Sequence, residues 1–174
     1  MIQIDIPQGV KVDIQGTKVS ITGPLGSNTR TINDRMLNVT TTGKEIKIDS
    51  VKTFKQLLKK TANCENSFAK ELKNDMAGVT KHYEIQMKIV FAHFPISIEI
   101  KNNEVRINNM IGERAARISK IVGSTKVEVK GQDMRLYGTS KDDVTQTAAN
   151  LRKAVKIRKK DERTFQDGVY YSID

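Results

Sequence analysis

This sequence is poor in the residues on which many folds and most enzymes depend. Its 174 residues include one cysteine, Cys64, so no disulfide can close within the chain. Cys64, His82 and His93 offer at most three nitrogen or sulfur ligands, too few for the usual four-ligand structural zinc site. No metal or cofactor is expected. There is no tryptophan and there are only 4 tyrosines. Extended aromatic platforms for unwound nucleic-acid strands are therefore poorly supplied. No uncharged apolar run approaches the roughly 18 residues of a membrane-spanning helix. The opening Met1-Ile-Gln-Ile-Asp-Ile-Pro7 lacks the basic and apolar regions of a secretory signal, so a soluble, intracellular protein is expected.

Catalytic motifs are missing too. Neither a G-x-S-x-G elbow nor a Walker loop occurs, and Gly23-Pro-Leu-Gly26 reads as a turn. Cys64 falls on the apolar stripe of a helix, where a thiol is an inert packing group. His93, in Ala92-His-Phe-Pro95, reads as a packed or hydrogen-bonded residue between strand-like runs. Asp142 and Asp143 stand at a helix start, where they complement the dipole rather than form an acid/base pair. No enzymatic constellation emerges.

The chain is rich in β-branched residues and in positive charge. It has 19 Ile and 14 Val against 7 Leu, a balance that suits pleated, half-buried sheet surfaces. Thirty Lys and Arg against 20 Asp and Glu leave a net charge of +10, which calls for an anionic partner.

One pattern occurs twice. Val10, Val12, Ile14, Val19 and Ile21 alternate across a turn at Gln15-Gly-Thr17 and read as a β-hairpin. Ile96, Ile98, Ile100, Val105 and Ile107 repeat this at a constant offset of 86, Asp13 matches Glu99, and Gly26 matches Gly112. The repeat points to an internal duplication.

Each half then closes on a helix. In the first, the strand Lys44–Ile48 precedes a helix capped by Asp49 or Ser50. Its stripe is Phe54, Leu57, Leu58, Cys64, Phe68, Leu72 and Met76, and Gly78 can stop it. In the second, strands Lys126–Lys130 and Met134–Tyr137 flank the Gly131-Gln-Asp133 turn. Ser140 offers an N-cap, with Asp143 in a capping-box-like position, and Val144, Ala148, Leu151 and Val155 form the stripe. Tyr83–Phe91, which joins the halves, is itself strand-like. The expected fold is α+β: two tandem similar domains, 1–82 and 83–174, each an antiparallel sheet packed on one helix.

The two halves carry equal net charge, +5 each over 1–81 and 82–174, but distribute it differently. Residues 152–163 alone hold seven basic and two acidic residues, so the rest of the second half is neutral. The basic residues are Arg152, Lys153, Lys156, Arg158, Lys159, Lys160 and Arg163. A helix C-terminus favours one or two cations through its dipole, which does not call for seven in twelve. Lys and Arg on phosphates supply sequence-independent affinity for nucleic acid, and this stretch is the primary candidate. Arg114, Arg117 and Lys120, spaced by 3, form a weaker cluster on one side of an expected helical turn. The paucity of aromatics favours folded, phosphate-rich RNA as the partner.

The whole chain resembles the large-subunit ribosomal protein L-six family, in its archaeal and eukaryotic form. The likeness lies in Ile21-Thr-Gly-Pro-Leu-Gly26, Met76-Ala-Gly-Val-Thr-Lys81, Phe91-Ala-His-Phe-Pro-Ile96, Tyr137-Gly-Thr-Ser-Lys-Asp-Asp-Val-Thr-Gln-Thr-Ala-Ala149 and Lys160-Asp-Glu-Arg-Thr-Phe-Gln-Asp-Gly-Val-Tyr170. These span nearly the full length in order. The lysine- and glycine-rich tail of the bacterial branch is missing. The resemblance implies two tandem α+β domains and a non-catalytic, cytoplasmic constituent of the large ribosomal subunit. It further implies rRNA binding near the sarcin-ricin loop, beside the stalk base with its ribosomal proteins and the translation-factor site, mainly through the second domain. By the same resemblance, Gly138, Thr139, Ser140 and Lys141 join residues 152–163 as RNA contacts.

Overall fold

The computed structural model describes residues 2–33, 37–50, 58–158, 160–161 and 163–172. The chain divides into two compact units, Met1–His82 and Tyr83–Asp174. The first runs β1 (Ile2–Asp5), β2 (Lys11–Gln15), β3 (Lys18–Gly23), β4 (Gly26–Thr31), β5 (Leu37–Thr41), β6 (Glu45–Ser50) and α1 (Leu58–Thr80). The second runs β7 (Tyr83–Val90), β8 (Ser97–Lys101), β9 (Glu104–Asn108), β10 (Arg117–Lys120), β11 (Lys126–Lys130), β12 (Asp133–Gly138), α2 (Lys141–Ala154) and β13 (Gly168–Tyr171), with a 3-10 turn at Met110–Gly112.

All described strand pairs are antiparallel, and the topology repeats. The first unit has sheets ordered β1-β6-β5 and β2-β3-β4, and the second has β7-β12-β11 and β8-β9-β10. Strand for strand this is the same connection, closed each time by one helix. The fold is α+β and internally duplicated. The second unit adds one element, β13, on the free side of β7.

The hairpins agree in register. Lys11 pairs with Thr22 and Gln15 with Lys18; Ser97 pairs with Asn108 and Lys101 with Glu104, each shifted by the offset of 86. Their turns differ in chemistry. Gly16 alone has positive φ in the first, whereas Asn102 (φ 49) and Asn103 (φ 63) both do in the second, the conformation that Asn tolerates best after Gly.

The offset does not persist past the hairpins. In the first unit Lys18 pairs with Thr31, but in the second Glu104 pairs with Lys120, an offset of 89. A longer connection, containing the 3-10 turn, separates β9 from β10. The match of Gly26 to Gly112 is therefore not a structural one: Gly26 opens β4 opposite Gly23, while Gly112 sits in the turn.

Each unit has its own core. In the first, Val19, Ile21, Ile46, Ile48, Leu72 and Val79 are fully buried, with Phe68 and Met76 beside them. In the second, Ile107, Leu136, Val144, Ala148, Leu151 and Val169 are fully buried. Each such Leu, Ile or Val contributes roughly 1.5–3 kcal/mol by leaving water. The expected stripe of α2 is fully buried but for Val155, 4% exposed, just past the helix end. Cys64 is half-buried at the margin of the first core, less enclosed than its place on the stripe implied. Phe54 and Leu57 lie outside the described residues.

Asp49 and Ser50, expected as caps, end strand β6, where they pair with Asn38 and Leu37. The stretch between them and Leu58, where a cap would act, lies outside the described residues. Gly78 does not end α1, which continues to Thr80. There the β3–β4 turn closes the helix: the Leu25 N–H donates to the Val79 carbonyl at 3.1 Å. This contact is close enough that a Cβ on Gly23 would stand 2.6 Å from Val79 Cγ2, so the position requires glycine.

Candidate nucleic-acid interface

The candidate residues gather around the two ends of α2. At the N-terminal end, the β12–α2 junction is built for fit. Gly138 ends β12, where a Cβ would meet Val144 Cγ2 at 3.1 Å. Thr139 is buried, and the Ser140 hydroxyl accepts the Asp143 N–H at 3.3 Å, the expected N-cap. The Asp143 carboxylate lies over Gly123 rather than closing a capping box. Of the four residues Gly138–Lys141, only Lys141 presents an exposed side chain, its ammonium 5.9 Å from the centre of the Tyr83 ring.

The C-terminal end is organised by Arg117. The spacing of Arg114, Arg117 and Lys120 suggested a helical turn, but Arg117 and Lys120 belong to strand β10, and Arg114 to the loop before it. Pairing with β9 decides this, a long-range effect that local spacing does not register. Residues three apart in a strand face opposite sides, so the three do not form one patch. Arg117 reaches back to α2. Its Nη1 donates to the carbonyls of Ala154 (3.0 Å) and Lys156 (3.1 Å), while Nε and Nη2 grip Glu113 at 2.8 and 2.6 Å. The hydrogen bonds from Arg117 hold the Glu113 carboxyl below the usual carboxylate range. Arg117 is thus a helix cap, whereas Arg114 and Lys120 remain exposed.

The cap changes the meaning of the basic stretch. At the end of α2 the Leu151 and Lys153 carbonyls accept the N–H groups of Val155 and Lys156, and the Ala154 carbonyl accepts Arg117. These carbonyls therefore do not need the side chains of Arg152, Lys153 and Lys156. All three are exposed, as are Arg158, Lys160 and Arg163. Among the described residues none of the six is held in an ion pair. Lys159 lies outside the described residues.

The segment after α2 forms a strap tied at both ends. Arg117 holds its start at Lys156. At its far end Asp167, 2% exposed, accepts the backbone N–H groups of Ala92 (2.6 Å) and His93 (3.2 Å), and His93 Nδ1 lies 2.6 Å from its second oxygen. Burial alone would raise the Asp167 pKa; the donors from Ala92 and His93 outweigh it and hold the carboxyl below its ordinary value. His93 stacks on Phe165 with centroids 4.8 Å apart, and the Lys160 ammonium stands 4.4 Å over that ring. His93 is therefore a hydrogen-bonded structural residue.

Beside the strap, an open cleft of about 580 Å³ runs between α2 and β13. Arg152, Lys153 and Lys156 line one wall and Tyr170 and Tyr171 the other, with Phe165 between. The Arg152 guanidinium lies 5.7 Å from the centre of the Tyr171 ring. In the sequence the four residues Gly168–Tyr171 show no alternation long enough to read as a strand. The adjacency of two aromatics to a cationic run was the available signal. Among the described residues no group of His, Cys, Asp and Glu is arranged to hold a metal ion, and no helix is long and apolar enough to cross a membrane.

Comparison with known proteins agrees with this architecture. The model of the family described as "Ribosomal protein L6" matches residues 94–168. Large ribosomal subunit protein uL6 of Methanocella arvoryzae is 41% identical over 169 residues, covering 97% of this chain and 93% of the relative. The same-named proteins of Ignicoccus hospitalis and Staphylothermus marinus are 40% and 41% identical, over 96% and 97% of this chain and 90% and 91% of theirs. Such identity across both units cannot come from the shared fold alone: the chain belongs to the ribosomal protein L6 family.

Proposed function

We propose that this chain is a structural, non-catalytic constituent of the large ribosomal subunit that binds large-subunit rRNA through the exposed cations at the end of α2 and along the strap. Its family consists of ribosomal proteins with a role in translation, which fits a cytoplasmic, ribosome-bound location. The observation that carries the RNA-binding reading is the division of labour at the end of α2. Arg117 holds the Ala154 carbonyl of the helix and the Lys156 carbonyl just beyond it, and six further described cations are left exposed on one segment. Unpaired cations repel one another and are retained where an anionic partner neutralises them. Arg114, Lys120 and Lys141 are further exposed cations of the second unit. By resemblance to the family, the rRNA target lies near the sarcin-ricin loop, with stalk-base proteins as neighbours and translation factors passing close by.

The test is reconstitution. The chain should co-sediment with large subunits at moderate salt and should protect nucleotides of the sarcin-ricin loop region and stalk base from hydroxyl radicals. Retention in the supernatant overturns the ribosomal reading. Co-sedimentation with protection confined elsewhere overturns the assigned location.

A further inference from the structure

We propose that the cleft between α2 and β13 receives a single unpaired nucleotide of the bound RNA, its base against Tyr171 and its phosphate on Arg152 and Lys156. The proposal rests on the rRNA-binding role and deepens it.

The cleft joins two chemistries that paired RNA cannot use together. A duplex presents phosphates and 2′-hydroxyls but hides the faces of its bases. It would engage the cations and leave the ring of Tyr171, 39% exposed, solvated. An acidic peptide would do the same. An unpaired nucleotide offers a flat base for the ring and, a few ångströms away, a phosphate for the cations.

The geometry suits this occupant. The cleft volume of about 580 Å³ lies within the range of small-ligand sites and admits a nucleotide. Tyr171 shares the face of the core residue Val169 and so lies on the α2 side of β13, whereas Tyr170 lies over Gly168 on the other face. The Arg152 guanidinium stands over the Tyr171 ring, 5.7 Å from its centroid, which puts a cation and a ring at the same edge of the cleft. Arg117 holds the Lys156 carbonyl and Asp167 the Ala92 N–H, so the cleft residues Lys156 and Asp167 are fixed before RNA arrives.

The experiment compares two RNA stem-loops of equal length with the full chain. One is fully paired, and the other carries a single 2-aminopurine bulge. The bulged RNA should bind on the order of tenfold more tightly, with its fluorescence quenched by stacking. The variant Tyr171→Ala should lose both the preference and the quenching. It should keep its affinity for the paired RNA, the salt dependence of binding and its unfolding temperature. The variant Tyr171→Phe should behave as the parent, since a ring suffices for stacking. Equal affinity for the two RNAs, or a preference that survives the alanine substitution, overturns the proposal while leaving rRNA binding in place. Adenosine monophosphate competing as well as the bulged RNA assigns the cleft to a free nucleotide, and a polyglutamate peptide doing so assigns it to an acidic protein. Either result overturns the proposal. A parent chain that binds neither RNA overturns the rRNA-binding reading as well.

Discussion

The two units grip their helices from the corresponding strand with different chemistry. In each, an arginine on the outer strand of the hairpin sheet reaches across to the helix. In the first unit this is Arg30 on β4, bound to Asp75 and Glu71 of α1, with Asn28 also donating to Asp75. In the second it is Arg117 on β10, bound to carbonyls at the end of α2 and to Glu113, which lies outside the helix. In the first unit the helix supplies the acids that neutralise the arginine. In the second it supplies main-chain carbonyls, and its last turn carries Arg152 and Lys153. The scaffold is shared, but the arginines are not register equivalents: Arg117 faces Ile107 as Asn28 faces Ile21, while Arg30 faces Val19 as Ser119 faces Val105. The last turn of the second helix is left strongly cationic. The same net charge of +5 is spread through one unit and gathered in the other.

Removing the two arginines should break this comparison unequally. Asp75 is 1% exposed, so Arg30→Ala leaves a buried carboxylate short of its main partner. That should cost about 3 kcal/mol of stability in denaturant unfolding, with little effect on RNA affinity. Arg117→Ala strips the α2 cap, but water can reach most of the freed groups. We expect a loss of about 1–2 kcal/mol, with the salt slope of RNA binding falling by less than about one unit. Equal losses at the two sites would contradict the division of roles.

How much of this was legible in the sequence follows from the range of the forces involved. The hairpins were legible because alternation is local, and Ile96–Ile107 repeats Val10–Ile21 residue for residue. The stripe of α2 and its Ser140 cap were legible for the same reason. Arg117 was misread because a spacing of three fits a helical turn, while its strand depends on pairing with β9. Gly78 looked like a stop, but α1 ends where the distant Leu25 N–H meets Val79. The cationic half of the candidate site stood out as a charge run. Its aromatic half did not, since β13 exists only by pairing with β7.

A third, smaller effect sharpens the contrast between the strap and the rest of the second unit. Asp167 has a lowered pKa when folded, so its stabilising contribution is complete above the unfolded carboxylate value, about 3.9. It is lost as pH falls through the folded value. Stability measured against pH should therefore drop below about pH 4, and Asp167→Asn should flatten that part of the profile. An unchanged profile in the variant would show that the strap is not tied by this carboxylate. The smallest effect is expected at Cys64 in the first unit. Half-buried, it should cost at most about 1 kcal/mol on replacement by Ala and leave RNA binding as it was.

The central claim is that RNA affinity resides in the gathered charge of the second unit and not in the dispersed charge of the first. Two variants test it, each losing five exposed cations: Arg152, Lys156, Arg158, Lys160 and Arg163 to Ala, and Lys11, Lys18, Lys44, Lys70 and Lys73 to Ala. Both leave the cores untouched, and the measurement is log affinity for large-subunit rRNA against log salt concentration. At about 0.7–0.9 per phosphate contact, the second-unit variant should lose roughly 3.5–4.5 from the slope, while the first-unit variant should lose less than about one. Equal losses from the two, or a second-unit variant that matches the parent, would contradict the account.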